Sequence, residues 1–223
     1  KKKAATELTA LKTVSGVEVR VPINLYKYVS TDKTRAYTGV YFDPEGFVVA
    51  TDGHNMIAIK HNVAEADVEK FISKSGDVAS SIFNWRIANP KPNTEKPMNV
   101  DFVDVEKQIG GKAGDKFVVF EIDGQEVGFP PKAIHVLADF QRAFGGQAFV
   151  GDMTAGKAVV IRSGDNYAIA LQTTKYADLS QAIHIPSGIE QTTEQVEQPA
   201  TVSEQAQQPT EPTKQEPKPK RTA

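Results

Sequence analysis

The sequence predicts an α+β domain made by internal duplication, and three observations carry that expectation. The first is a pair of stretches, FVVATDGHNMIAIKH (47–61) and AVVIRSGDNYAIALQ (158–172), that align without a gap. Val48 and Val49 lie over Val159 and Val160, Gly53 over Gly164 and Asn55 over Asn166. The second is a similar lead-in to each, VRVPINLYKYVS (19–30) and VGFPPKAIHVLA (127–138), where a strand ending in Pro22 or Pro130 opens a short helix. The third is a candidate strand between helix and hairpin, YTGVYFD (37–43) and GQAFVGD (146–152). Each unit reads strand, helix, three strands. Two such βαβββ copies make a pseudo-twofold domain whose paired helices cover one face of its sheets.

Each element has a local reason. Val48, Val49 and Ala50 precede Asp52-Gly53, and Met56, Ile57 and Ile59 follow it; both turn residues tolerate positive φ, so the default is a hairpin. Proline suits a helix start because the first turn does not use its missing N–H. Between the units, residues 62–116 form an insert. Within it, AEADVEKFISKS (64–75) reads as an amphipathic helix with Val68, Phe71 and Ile72 on one side. Pro90, Pro92 and Pro97 mark a loop, and MNVDFVDV (98–105) a strand.

Composition sets the outer limits. A chain of 223 residues with 39% hydrophobic and 24% charged residues is that of an ordinary globular protein able to bury a core. No apolar run approaches the ~20 residues that span a bilayer, so the expectation is a cytoplasmic protein with no membrane partner. The absence of cysteine excludes disulfides, thiolate catalysis and cysteine-ligated zinc. From Gly188 to Thr213 there are five Glu and no Lys or Arg, and no aromatic follows Tyr176; such a segment cannot bury enough surface to order itself. The expected organisation is an N-terminal extension (1–16), one domain (17–187) with units at about 17–61 and 117–175, and a disordered tail (188–223).

The Asp-Gly-His triplet is open to three readings, metal binding, catalysis or a tight turn. His54, His61, His135 and His184 show no metal-ligand spacing such as His-Glu-x-x-His, and neither Gly-x-Ser-x-Gly nor a phosphate loop occurs. No enzyme activity and no cofactor is therefore expected.

The order STDKTRAYTGVYFDPEGFVVATDGHNMIAIKH (30–61) resembles the bacterial DNA polymerase III beta sliding clamp family, most of all its middle domain, which carries a Thr-Arg segment, a Gly-Val strand and an Ala-Thr-Asp-Gly-His run. VGFPPKAIHVLADF looks like that family's second lead-in, and YADLSQAIHIP (176–186) stands where the family has a segment running to a proline. The likeness covers roughly 17–61 and 117–186. It implies a single DNA-clamp domain, where the family chain has three and its ring six.

By position, the resemblance nominates Thr51, Gly53, His54, Asn55, Met56 and Pro186 for a groove that captures short peptides from replication proteins. Met56 would supply its apolar floor. The family usually has Arg where this chain has Asn55, so an Arg-dependent contact is missing. For duplex DNA it points to basic residues on the helices. Lys132, His135 and Arg142 share a face of the second helix with Asp139, opposite Ile134, Leu137 and Phe140, while Lys27, Lys33 and Arg35 lie on or after the first. The implied function is a processivity factor that encircles double-stranded DNA without sequence specificity and tethers a DNA polymerase. A clamp loader and a homo-oligomeric ring come with it, and a phage or mobile-element origin is expected. The alternative is a clamp-fold structural or adaptor protein without DNA binding.

Overall fold

Val48-Val49-Ala50 and Val159-Val160-Ile161 are runs of adjacent apolar residues. In a strand, adjacent side chains point to opposite faces, so both runs require a sheet covered on both sides. The computed structural model, which describes residues 7–109, 117–154, 156–172 and 182–189, has that arrangement. Val48, Ala50, Val159 and Ile161 enter the main apolar cluster, whereas Val49 and Val160 enter a second one.

A nine-stranded antiparallel sheet separates the two clusters. In order across it run β7 (Val78–Ser80), β6 (Lys70–Ile72), β3 (Val40–Asp43), β4 (Phe47–Thr51), β5 (Asn55–Lys60), β13 (Asn166–Leu171), β12 (Gly156–Ser163), β11 (Gln147–Met153) and β8 (Lys96–Met98), numbered along the chain. The two aligned hairpins share one register: Val48 faces Ile59 where Val159 faces Ala170, and Ala50 faces Ile57 where Ile161 faces Ala168. They meet through β5 and β13, where Ile57 pairs with Ala168. These two residues occupy equivalent positions of the two hairpins, so an approximate twofold axis passes between them.

Smaller elements close the main cluster. β1 (Thr9–Leu11) pairs with β2 (Val19–Val21), placing a strand inside the stretch read as an N-terminal extension. β9 (Val118–Ile122), β10 (Gln125–Phe129) and β14 (Ile183–Ile185) form a three-stranded sheet. The helices are α1 (Phe102–Ile109) and α2 (Pro131–Phe144), the latter burying Ile134, Val136, Leu137 and Phe140. The fold is thus α+β and mostly strand, with two α-helices among the described residues. None of these is long and apolar enough to cross a membrane.

Three expectations need correction. The lead-in after Pro22 forms only a 3-10 turn, Leu25–Lys27, while its counterpart α2 has 14 residues. The companion of α2 is therefore α1, which comes from the insert. Residues 64–75 are not a helix: a 3-10 turn spans only Glu65–Asp67 with Val68 as its C-cap, Glu69 then takes φ 56°, and β6 follows. Phe71 and Ile72 are both buried, one in each cluster, which a strand on the open edge of β3 achieves and a helix stripe does not. Residues 98–105 are not a strand either. Asp101 accepts from the N–H groups of Val103 (2.9 Å) and Asp104 (3.2 Å), capping α1, whose Phe102, Val105 and Ile109 face the core at helical spacing.

The insert wraps the duplicated six-stranded centre. It adds β6 and β7 at one edge and then passes over the face lined by the second cluster. There Trp85, 1% exposed, sits between Phe47 (5.3 Å) and Tyr167 (5.4 Å). Beyond it Lys91 N–H donates to Asp152 O (2.8 Å), and Arg162 holds Glu95 through two hydrogen bonds of 3.0 and 2.7 Å. Pro90 packs so tightly on Gly151 that an added Cβ would lie 2.6 Å from it. The chain then forms β8 at the far edge and α1 on the opposite face. The tail read as disordered lies outside the described residues from 190 on; Ile189 still packs on the main cluster.

Candidate functional site

The turn joining β4 to β5 is built by its own side chains. Thr51 Oγ1 donates to Asn55 O (2.8 Å) and accepts from Gly53 N–H (3.0 Å). Asp52 Oδ1 accepts from the N–H groups of His54 (2.9 Å) and Asn55 (2.8 Å). Gly53 has φ 94°, and a Cβ there would come within 3.1 Å of Arg35 and 3.3 Å of the Tyr37 hydroxyl. The positive φ is what favours glycine here. Asp52 Oδ2 also meets Lys132 Nζ at 2.6 Å, tying the turn to the first turn of α2. Of the three readings open for Asp-Gly-His, the observed geometry is a turn; among the described residues no three His, Asp or Glu side chains gather as a metal site would need.

The nominated peptide-binding residues divide by exposure. Gly53, His54 and Pro186 are exposed, but Thr51 and Asn55 are buried and Met56 is 3% exposed, a member of the second cluster that stands between Thr51 and Ile169 in the sheet. Pro186 follows β14 in the three-stranded sheet, whereas residues 51–56 belong to the nine-stranded one. Asn55 Nδ2 donates to Asp52, but its buried Oδ1 has no partner. In the second hairpin the equivalent Asn166 Oδ1 accepts from Lys60 N–H at 2.8 Å.

Burial works against the Asp52 carboxylate, but Lys132 and the N–H groups of His54 and Asn55 prevail and hold its pKa below the ordinary value. With a depressed folded pKa, the stabilisation is present above the ordinary carboxylate pKa and lost as pH falls through the folded one. Asp52→Ala is therefore expected to cost about 1–2 kcal/mol at neutral pH, because two N–H groups lose their acceptor. Asp52→Asn keeps an acceptor and loses only the ion pair, so its deficit should be smaller and should close in acid. Urea unfolding followed from neutral pH down through the acid range measures both; an Asp52→Asn deficit that does not shrink as pH falls below the ordinary carboxylate pKa would remove Asp52 ionisation as its cause.

Of the other nominated residues, α2 carries Lys132, His135 and Arg142, the 3-10 turn Leu25–Lys27 carries Lys27, and the loop after it carries Lys33 and Arg35; carboxylates answer nearly all of them. Besides the Lys132–Asp52 pair, His135 Nδ1 lies 2.7 Å from Glu106 of α1, and Arg142 pairs with both Glu106 and Asp139. Lys27 lies 4.0 Å from Asp139, which also accepts from the Tyr28 hydroxyl. Burial and the adjacent Asp139 push the Tyr28 phenol far up, so it remains a donor. Arg35 pairs with Asp32 (3.2 Å) and donates to Tyr37 (2.8 Å). Lys33 is exposed and has no ion pair among the described residues. Glu106 and Tyr28 complete this face and were not legible as partners, since they lie 29 and 111 residues from His135 and Asp139 in sequence.

No family model and no curated protein matches the chain. What bears on its function is therefore the geometry above and the motif within it.

Proposed function

We propose that this chain is a DNA-clamp-fold processivity factor that holds duplex DNA without sequence specificity and tethers a DNA polymerase. The observation that carries the reading is the duplicated hairpin: two units of one register, joined about an approximate twofold axis, with a helix layer against one face. The Ala50-Thr51-Asp52-Gly53-His54 run at the first turn supports it. A partner peptide would meet the exposed Gly53 main chain and His54, while Thr51, Asn55 and Met56 shape the turn from beneath; Pro186 would join them only from the neighbouring sheet. DNA phosphates would meet Lys27, Lys33, Arg35, Lys132, His135 and Arg142.

One observation favours the second reading, a clamp-fold adaptor that does not bind DNA. Lys27, Lys107, Lys132 and Arg142 on the helix face are matched by Asp52, Asp104, Glu106 and Asp139. A phosphate must displace a carboxylate at each of these four cations, which weakens the attraction of this face for DNA.

The test uses closed circular duplex, which has no free ends by which a loosely held protein could leave. Retention should fall steeply between low and moderate salt. Lys27→Glu combined with Lys33→Glu, two exposed positions, should reduce it about tenfold or more without lowering the melting temperature. Absence of both retention and stimulation of a polymerase would remove the processivity reading and leave the adaptor.

A further inference from the structure

The two ends of the nine-stranded sheet differ. At one end β8 reads Lys-Pro-Met, and a lysine and a proline are what blunt an edge against further pairing. At the other, β7 reads Val-Ala-Ser, all exposed, with neither charge nor proline. Val78 is 46% exposed, and Ile82 just beyond is 83% exposed.

The ladder shows which groups of β7 are free. Ser73 N–H donates to Asp77 O and Ser81 N–H to Glu69 O, both at 2.9 Å, and Phe71 faces Ala79 between them. Residues 77, 79 and 81 therefore direct their main-chain groups to β6, and alternation turns those of Val78 and Ser80 outward. The free edge presents two donors and two acceptors, placed symmetrically about Ala79.

We propose that this edge joins two copies of the chain, antiparallel, about a twofold axis through Ala79. Val78 of each copy then pairs with Ser80 of the other, and all four outward groups are satisfied. The charges agree with this register, since Asp77 stands opposite a serine, Ser81, and not another Asp77. Ile82 comes alongside Gly76 of the second copy, where nothing lies within 4 Å of the Cβ position. The pairing would thus cover the most exposed isoleucine and needs no DNA contact.

The chain has no cysteine, so one introduced thiol reports cleanly. Across the axis the two Ala79 residues form a non-hydrogen-bonded pair with Cα atoms about 4.5 Å apart, within disulfide reach. The two Val78 residues stand about 8 Å apart, beyond it. Under mild oxidation Ala79→Cys should form a covalent dimer at least about tenfold faster than Val78→Cys. Sedimentation of the unmodified chain should give a dimer, and Ser80→Pro, which removes an outward N–H and leaves the β6 ladder intact, should halve its mass without changing the melting temperature. Equal crosslinking of the two cysteine variants, or a monomeric unmodified chain, overturns the proposal, including the outcome in which the edge receives a strand from a different protein. Should Ser80→Pro fail to fold, the two cysteine variants still decide.

Discussion

Trp85→Ala is expected to destabilise the protein by about 3–5 kcal/mol, the range for removing a fully buried large aromatic side chain. The indole is 1% exposed and fills the space over the sheet between Phe47 and Tyr167. Its Nε1–H donates at 2.7 Å to Asp43, a carboxylate only 2% exposed. Asp43 keeps Arg86 at 3.3 Å and the N–H of Glu45 at 2.8 Å, so the variant leaves it weakened but not bare. Trp85→Phe retains most of the apolar contact and loses the donor, and should cost about 1–3 kcal/mol. Urea unfolding followed by circular dichroism is the appropriate measurement, because both variants remove the chain's single tryptophan. A cost below about 1 kcal/mol for Trp85→Ala would mean that the segment over the sheet is held by Pro90, Glu95 and Lys91 instead.

Met56→Asp is expected to unfold the domain or to cost at least about 3–5 kcal/mol, the penalty of an uncompensated buried charge. The side chain is 3% exposed within the second cluster, between Thr51 and Ile169 in the sheet, so it is not the open floor of a groove. Burial raises the pKa of the introduced carboxyl, so the variant should regain part of its stability as pH falls and the group becomes neutral. Met56→Leu, close in volume, should cost less than about 1.5 kcal/mol. A folded Met56→Asp protein with near-normal stability at neutral pH would show that the side chain reaches water, and would return Met56 to the candidate peptide-contacting surface.

Much of the architecture was legible because it is local. A gapless match between residues 47–61 and 158–172 states that two hairpins share a register, and Asp52-Gly53 at the turn specifies where the first reverses. Pro130, read as opening the helix, and the spacing of Ile134, Leu137 and Phe140 point to α2 and its buried side. The helix α1 was not legible, because MNVDFVDV fits a strand and the capping by Asp101 shows only in the fold. Asp52 was visible as a turn residue; its ion pair with Lys132 was not, since 80 residues separate them.

By itself, then, the sequence determined the duplicated hairpins, their turns and the presence, though not the length, of the helix after Pro130, all set by side-chain periodicity and backbone preference within some fifteen residues. Only the tertiary structure decided the path of the insert and the electrostatic character of the helix face. Phe71 and Ile72 suit a helix stripe or a two-sided strand equally well, and the open edge of β3 selected the strand. Lys132, His135 and Arg142 form a basic stripe on an isolated helix, yet the packing of α1 and the first turn sets Glu106 and Asp52 against them. Charge in the sequence is a property of one residue, whereas the field a partner meets is a sum over groups that folding brings together.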